Sequence, residues 1–151
     1  MKTEDFLSLV QRYVDAWTRH DMAALDSLYA QDAVRYRFGD RLGGKREIQL
    51  DRRALWRAFP DMTMRYQDLF VSGTHGVVLW TIQGTQSSTF ETSLGAILAT
   101  GKRVEFKGVT VWEFDDRGLI VRENLYPDRL SLFQQLDAIR TNFPVPLELA
   151  A

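Results

Sequence analysis

Residues 100 to 136, TGKRVEFKGVTVWEFDDRGLIVRENLYPDRLSLFQQL, read as two long strands joined by a tight turn and running into a helix. In the first strand Val104, Phe106, Gly108, Thr110, Trp112 and Phe114 share one face; Glu105, Lys107, Val109, Val111 and Glu113 share the other. Asp115-Asp116-Arg117-Gly118 supplies the turn, Gly118 being free to take positive φ. Alternation through the return strand groups Ile120, Arg122, Asn124, Tyr126 and Asp128, opposite Leu119, Val121, Glu123 and Leu125. A polar row ending in a carboxylate, beside a face with three aromatics, marks this hairpin as the expected floor of a pocket.

Working outward, Phe6, Leu9, Val10, Tyr13 and Trp17 recur at helical spacing, which predicts a helix from Thr3, as N-cap, to about His20. Asp21 caps a shorter helix that turns Leu25, Leu28 and Tyr29 inward and stops before Asp32. Val34 to Phe38 alternates as a strand with one apolar and one cationic face. A glycine-rich loop covers 39–44, and Ile48, Leu55, Trp56 and Phe59 mark a third helix ended by Pro60. Met62, Met64, Tyr66 and Phe70 then alternate in a long strand, and 72–76 turns it into a second strand over 76–86. Residues 87–99 read as an irregular segment with a short strand. Leu132, Phe133, Leu136 and Ile139 space the last helix, followed by a tail without periodicity that contains Pro144 and Pro146. Helices come first and a meandering sheet second, so the expected fold is α+β in a single domain spanning 1–151.

Composition narrows the function classes. The 151 residues carry 19 basic and 20 acidic side chains, a net charge of −1, which gives no basic field for nucleic acid and no polybasic anchor for a membrane. No apolar run is long enough to span a bilayer, and MKTEDF lacks a signal peptide's apolar stretch, so a cytoplasmic protein is expected. Zero cysteines exclude disulfides, thiolate catalysis and cysteine-held zinc. His20 and His75 are the only histidines, and no His or carboxylate spacing suits a metal. Residues 39–46, GDRLGGKR, come within one position of a phosphate-binding loop, but Arg46 stands where the magnesium-holding Ser or Thr belongs, and a connecting loop is the better reading.

The candidates for lining an apolar ligand pocket are Tyr13, Trp17, Tyr36, Trp56, Phe70, Trp112 and Tyr126, any of which can equally fill a core, together with the polar Thr110 and Asn124. Asp128 has two readings. Before Arg129-Leu130-Ser131 it is a natural N-cap, with its pKa lowered by backbone N–H groups; as a pocket base among aromatics its pKa is raised by loss of water.

Four stretches carry a family resemblance. Trp17 with His20-Asp21, Leu25, Leu28 and Ala30-Gln31-Asp32-Ala33-Val34 resembles the W..HD...L...L.A.DAV opening of SnoaL-like polyketide cyclases. Phe59-Pro60-Asp61-Met62, Thr100-Gly101-Lys102-Arg103-Val104 with Phe106 and Gly108, and the ending Ile120-Val121, Asp128 and Gln135-Leu136 follow in the family's order. The resemblance covers most of 5–137 and implies the wider nuclear-transport-factor-2-like (cystatin-like) cone, with N-terminal helices over a curved, mainly antiparallel sheet. It also implies that Asp128 is the acid/base of a cofactor-free aldol ring closure on a small apolar, polyketide-like or cyclic substrate, with nearby donors holding the enolate oxygen. Gln11-Arg12-Tyr13-Val14 is similar to the segment bearing the oxyanion tyrosine of ketosteroid isomerases, yet their base aspartate falls at Arg37 and their second acid near Thr110, so that reaction is not expected. An epoxide hydrolase relative would draw only partly on Asp128 and Arg122. The other function class is a non-catalytic ligand-binding or dimerisation module.

Strand faces also predict a partner. If Phe106, Trp112 and Tyr126 face the helices, then Val77, Leu79, Val109, Val111, Val121 and Leu125 face away, and this apolar row suits a two-fold homodimer packed sheet to sheet.

Overall fold

The computed structural model describes residues 1–37 and 40–140. Helices α1 (Thr3–Thr18), α2 (Met22–Asp26) and α3 (Gly44–Ala58) pack against a six-stranded sheet of order β2-β1-β8-β7-β4-β3. Its strands are β1 (Tyr29–Arg37), β2 (Asp40–Gly43), β3 (Thr63–Ser72), β4 (His75–Thr85), β7 (Arg103–Phe114) and β8 (Ile120–Pro127). Only the β1–β8 pairing is parallel. A separate hairpin, β5 (Phe90–Thr92) and β6 (Gly95–Ile97), stands off the sheet, and α4 (Arg129–Gln135) is the last described element. The α+β cone with three N-terminal helices is therefore the fold. Among the described residues no helix is long and apolar enough to cross a membrane.

The expected boundaries shift in five places, the first being the last helix, which ends at Gln135 so that Ile139 lies beyond it, Asp137 taking a positive φ of 56°. Lys2, without a side-chain bond, precedes α1 in place of a Thr3 cap, because the helix already includes Thr3. The strand expected at Val34 starts at Tyr29, and the glycine loop contains β2. The irregular stretch 87–99 is a hairpin of two short strands. Phe38, Pro144 and Pro146 lie outside the described residues.

Two bulges turn side chains over. In β3, Tyr66 pairs with Trp80 but Asp68 with Leu79, so Gln67 is an extra residue. In β8, Ile120 pairs with Phe114 but Arg122 with Glu113, so Val121 is extra. Each extra residue shifts the period-two alternation by one. Beyond them Leu69 and Val71 pack on the core while Phe70 is 62% exposed, and Glu123 and Leu125 turn inward while Arg122 and Tyr126 are exposed. The expected row of Arg122, Asn124, Tyr126 and Asp128 over the pocket is thereby corrected, and Leu125 leaves the outward apolar row.

The family-like stretches act as clamps. Asp61 accepts from the Thr85 backbone N–H (2.6 Å) and hydroxyl (2.7 Å), fixing the end of β4 to the turn before β3. The fully buried Gln86 donates to the carbonyls of Ile97 (2.9 Å) and Leu98 (3.1 Å) and accepts from the Thr100 backbone N–H (3.1 Å) and hydroxyl (2.6 Å), closing both ends of the hairpin loop. Gln135 binds Glu105 as a neighbouring strand would, donating to its carbonyl (2.8 Å) and accepting from its N–H (2.9 Å), which docks α4 on β7. Gly108 has no side chain because a Cβ there would fall on the Trp80 indole lying across β7.

Candidate functional site

Between the helices and the sheet lies an inner chamber of about 60 Å3. Met64, Ile82, Phe106, Leu125 and Leu132 form its apolar walls, and Tyr13, Trp17, Thr110, Arg35, Arg37 and Asp51 give it polar atoms. An outer pocket of about 300 Å3 adjoins it, and Arg37, Asp51, Leu55 and Phe90 belong to both, forming a threshold between the two spaces. Phe90 reaches this position from β5, packed edge-on against Phe59 (5.3 Å).

The polar end grows from β1, whose cationic face points inward rather than its apolar one. Register places Arg35 beside Glu123 of β8, and the Arg35 Nε forms an ion pair with Glu123 Oε2 at 2.9 Å. The Arg35 Nη1 also pairs with Asp51 Oδ2 of α3 at 3.0 Å, and Arg37 pairs with the other Asp51 oxygen. Glu123 is wholly buried and accepts from the Tyr13 hydroxyl and the Trp112 indole N–H, each at 3.0 Å, with Arg52 Nη2 3.9 Å away. Arg52 in turn donates to the Tyr29 hydroxyl at 2.5 Å.

Burial alone would raise the Glu123 pKa, but the Arg35 and Arg52 guanidiniums and the Trp112 N–H outweigh it and hold the carboxyl below its ordinary 4.5. Burial tends to strip Arg35 of its proton, and the Glu123 and Asp51 carboxylates reverse that, so it stays a cation. Burial, then the Glu123 charge, keeps the Tyr13 hydroxyl above its usual 10.0, and burial raises Tyr29 further. Glu123 is therefore ionised, and the Tyr13 proton is committed to it.

Two further donors belong to residues that line the chamber. Trp80 donates its indole N–H to the Thr110 hydroxyl oxygen at 2.8 Å, and the Thr110 proton goes to no other described residue. The Trp17 indole N–H is buried without a hydrogen-bond partner among the described residues.

Of the residues chosen from sequence, Tyr13, Trp17 and Thr110 line the chamber. Trp56 and Trp112 are buried behind it, Trp56 edge-on to Trp17 (5.4 Å) and stacked on His20 (4.7 Å). Tyr36, Phe70, Asn124 and Tyr126 lie on the sheet's other face, where Tyr36 pairs in register with Asn124. Asp128 is exposed, and its Oδ1 accepts from the Ser131 backbone N–H at 2.9 Å as the N-cap of α4. Sequence reasoning missed Glu123, Asp51, Arg35 and Arg52. The available signal was the alternating arginines of β1, which a strand against a core does not carry without acidic partners. Among the described residues no three His, Asp or Glu side chains gather to hold a metal.

A family model for SnoaL-like polyketide cyclase matches residues 7–136. The chain belongs to that family. No curated protein matches this SnoaL-like chain significantly. Among solved structures, TsrD from Streptomyces laurentii is 22% identical, with 92% of this chain and 99% of that chain covered at a TM-score of 0.80. AclR from Streptomyces galilaeus, described as a candidate hydroxylase, is 19% identical over 92% and 100% of the two chains, TM-score 0.78. A candidate SnoaL-like polyketide cyclase from Jannaschia sp. CCS1 is 20% identical over 89% and 92%, TM-score 0.78. At these identities the likeness is one of fold.

Proposed function

We propose that this SnoaL-like chain is a cofactor-free acid/base enzyme of the cyclase or isomerase type, acting on a small apolar cyclic substrate held across the chamber and outer pocket. The observation that supports it is the position of Asp51, a carboxylate on the threshold between the two spaces, oriented by Arg35 on one oxygen and Arg37 on the other. A ring entering from the outer pocket meets Asp51 first. The carboxylate takes a proton from a carbon next to a carbonyl, and the arginines and deeper donors stabilise the charge that develops on oxygen. Epoxide hydrolysis is the poorer reading, because it needs one acid kept protonated. Arg35 does bridge two acids, but its arginine partners hold Glu123 in the ionised form.

Asp128 is the competing base. Its neighbour Pro127 lines the chamber, while its own carboxylate caps α4. The two assignments separate in one experiment, solvent deuterium incorporation into a panel of small cyclic ketones and keto acids followed by NMR. Asp51→Asn lowers the exchange rate by roughly 10²–10⁴-fold and Asp128→Asn leaves it within about tenfold. The reverse pattern would return the role to Asp128, and exchange no faster than in buffer across the panel would leave a binding module. We also propose that the outward sheet face pairs two copies of the chain.

A further inference from the structure

We propose that Phe90 limits the size of the group that passes from the outer pocket into the chamber, so that the site selects a ring bearing a short acyl side chain. The side chain enters and the ring stays outside. This rests on the two spaces being the substrate site, and it deepens the enzymatic reading by placing the carbonyl on a side chain rather than in the ring. Volume decides what passes. A cavity of about 150 Å3 takes up benzene, and a water molecule's share of the liquid is about 30 Å3. The chamber, at about 60 Å3, thus has room for a group of roughly two to three non-hydrogen atoms and none for a ring, whereas the outer pocket, at about 300 Å3, has room for the ring itself.

Of the residues lining both spaces, Arg37 and Asp51 tie β1 to α3 through their ion pair, and Leu55 follows Asp51 by about one helical turn. Phe90 comes from the hairpin that stands off the sheet. The residue is 9% exposed, and its ring meets the fully buried Phe59 edge-on at 5.3 Å. Its backbone is fixed as well. The Ser87 backbone N–H donates to the Ala58 carbonyl at 2.9 Å and the Ser88 hydroxyl to the Arg57 carbonyl at 2.7 Å, which ties the approach to β5 to the end of α3. Across the hairpin Phe90 pairs with Ile97, whose carbonyl accepts from the buried Gln86 at 2.9 Å. The phenyl ring is therefore a fixed partition at the threshold, and a fixed partition sets an upper size because forcing extra methyl groups into packed surroundings strains them.

The test titrates the whole 15N-labelled chain with acetophenone, isobutyrophenone and pivalophenone, which share the phenyl ring and carbonyl and differ only in the alkyl group. The indole N–H signals of Trp17 and Trp80, both on the chamber wall, report entry, and that of Trp112 is the reference. In the unaltered protein acetophenone moves the Trp17 and Trp80 signals and binds at least about tenfold tighter than pivalophenone, with isobutyrophenone between them. Phe90→Ala brings the three within about threefold of one another, and Phe90→Leu gives an intermediate ratio. Equal affinity for the three ketones in the unaltered protein, or Trp17 and Trp80 signals that acetophenone leaves in place, overturns the proposal without reliance on any variant folding. A ratio unchanged in a folded Phe90 variant overturns it as well. Deuterium exchange into the acetyl methyl group of acetophenone separates this inference from the catalytic one. Exchange that needs Asp51, beside a flat size series, removes only the size limit; no exchange, beside a size series reset at Phe90, removes only the catalytic reading.

Discussion

Glu123 is the residue whose removal reaches furthest. It is wholly buried, and it neutralises Arg35 while fixing the Tyr13 hydroxyl and the Trp112 indole. Replacing one member of such a pair leaves the other as an uncompensated buried charge, so Glu123→Ala is expected to destabilise by about 3–5 kcal/mol, read as a loss of urea midpoint. The same carboxylate makes stability depend on pH. Its folded pKa lies below the unfolded 4.5, so its contribution is complete above that value and is lost as pH falls through the folded pKa. Denaturation at pH 7 and pH 4 therefore shows a steeper acid loss for the unaltered protein than for Glu123→Gln. An equal slope in both proteins would mean that the ion cluster contributes nothing to acid stability. Asp128 acts on a smaller scale. As a cap its change to alanine costs about 1 kcal/mol, and to asparagine less.

At the scale of elements, the periodicity of apolar residues was enough to read the first three helices, the start of the last one and the long hairpin, while β2 and the order of strands in the sheet went unread. Alternation counts in twos, and the extra residues at Gln67 and Val121 are invisible to it because nothing in either residue type announces a bulge. The candidates placed by strict alternation beyond a bulge, Phe70, Asn124, Tyr126 and Asp128, all fall away from the pocket, as the shifted parity requires. Thr110, before the second bulge, stayed inside. The motifs behaved differently: they were legible as a family pattern, yet Asp61, Thr100 and Gln135 carry it as clamps between elements rather than as chemistry. The acids and arginines of the site come from three separate elements, β1, α3 and β8, and pairing at that distance cannot be read along a chain. Gln86 gives an element-scale test. Gln86→Leu removes the bonds closing 87–100, so hydrogen exchange should rise across Phe90–Ile97 and leave β7 protected.

For the molecule as a whole, the outward sheet face has become more apolar than the sequence suggested. Val77, Leu79, Val109 and Val111 remain there half-buried, Leu125 has left it, and the bulges deliver Phe70 and Tyr126, 62% and 63% exposed. Charges of both signs flank the strip, with Arg122 3.5 Å from Glu113 and Arg65 3.4 Å from Glu105. A two-fold axis can set such a surface against itself with opposite charges facing. Sedimentation should give twice the 17.4 kDa chain mass, and Val111→Lys should return the single mass; a concentration-independent 17.4 kDa for the unaltered protein would remove the dimer. The bulges also bear on how the chain tolerates changes of length. Without Val121 the ladder runs Ile120, Arg122, Glu123 against Phe114, Glu113, Trp112, and each side chain after it keeps its face. The same holds for Gln67. Deletion of either one leaves a foldable protein with a straighter strand, whereas deletion of Asn124 carries Leu125 to the outside, and thermal melts of the three shortened chains should rank them in that order. A central strand is thus able to lose a residue at one named position, a freedom that is usually confined to loops.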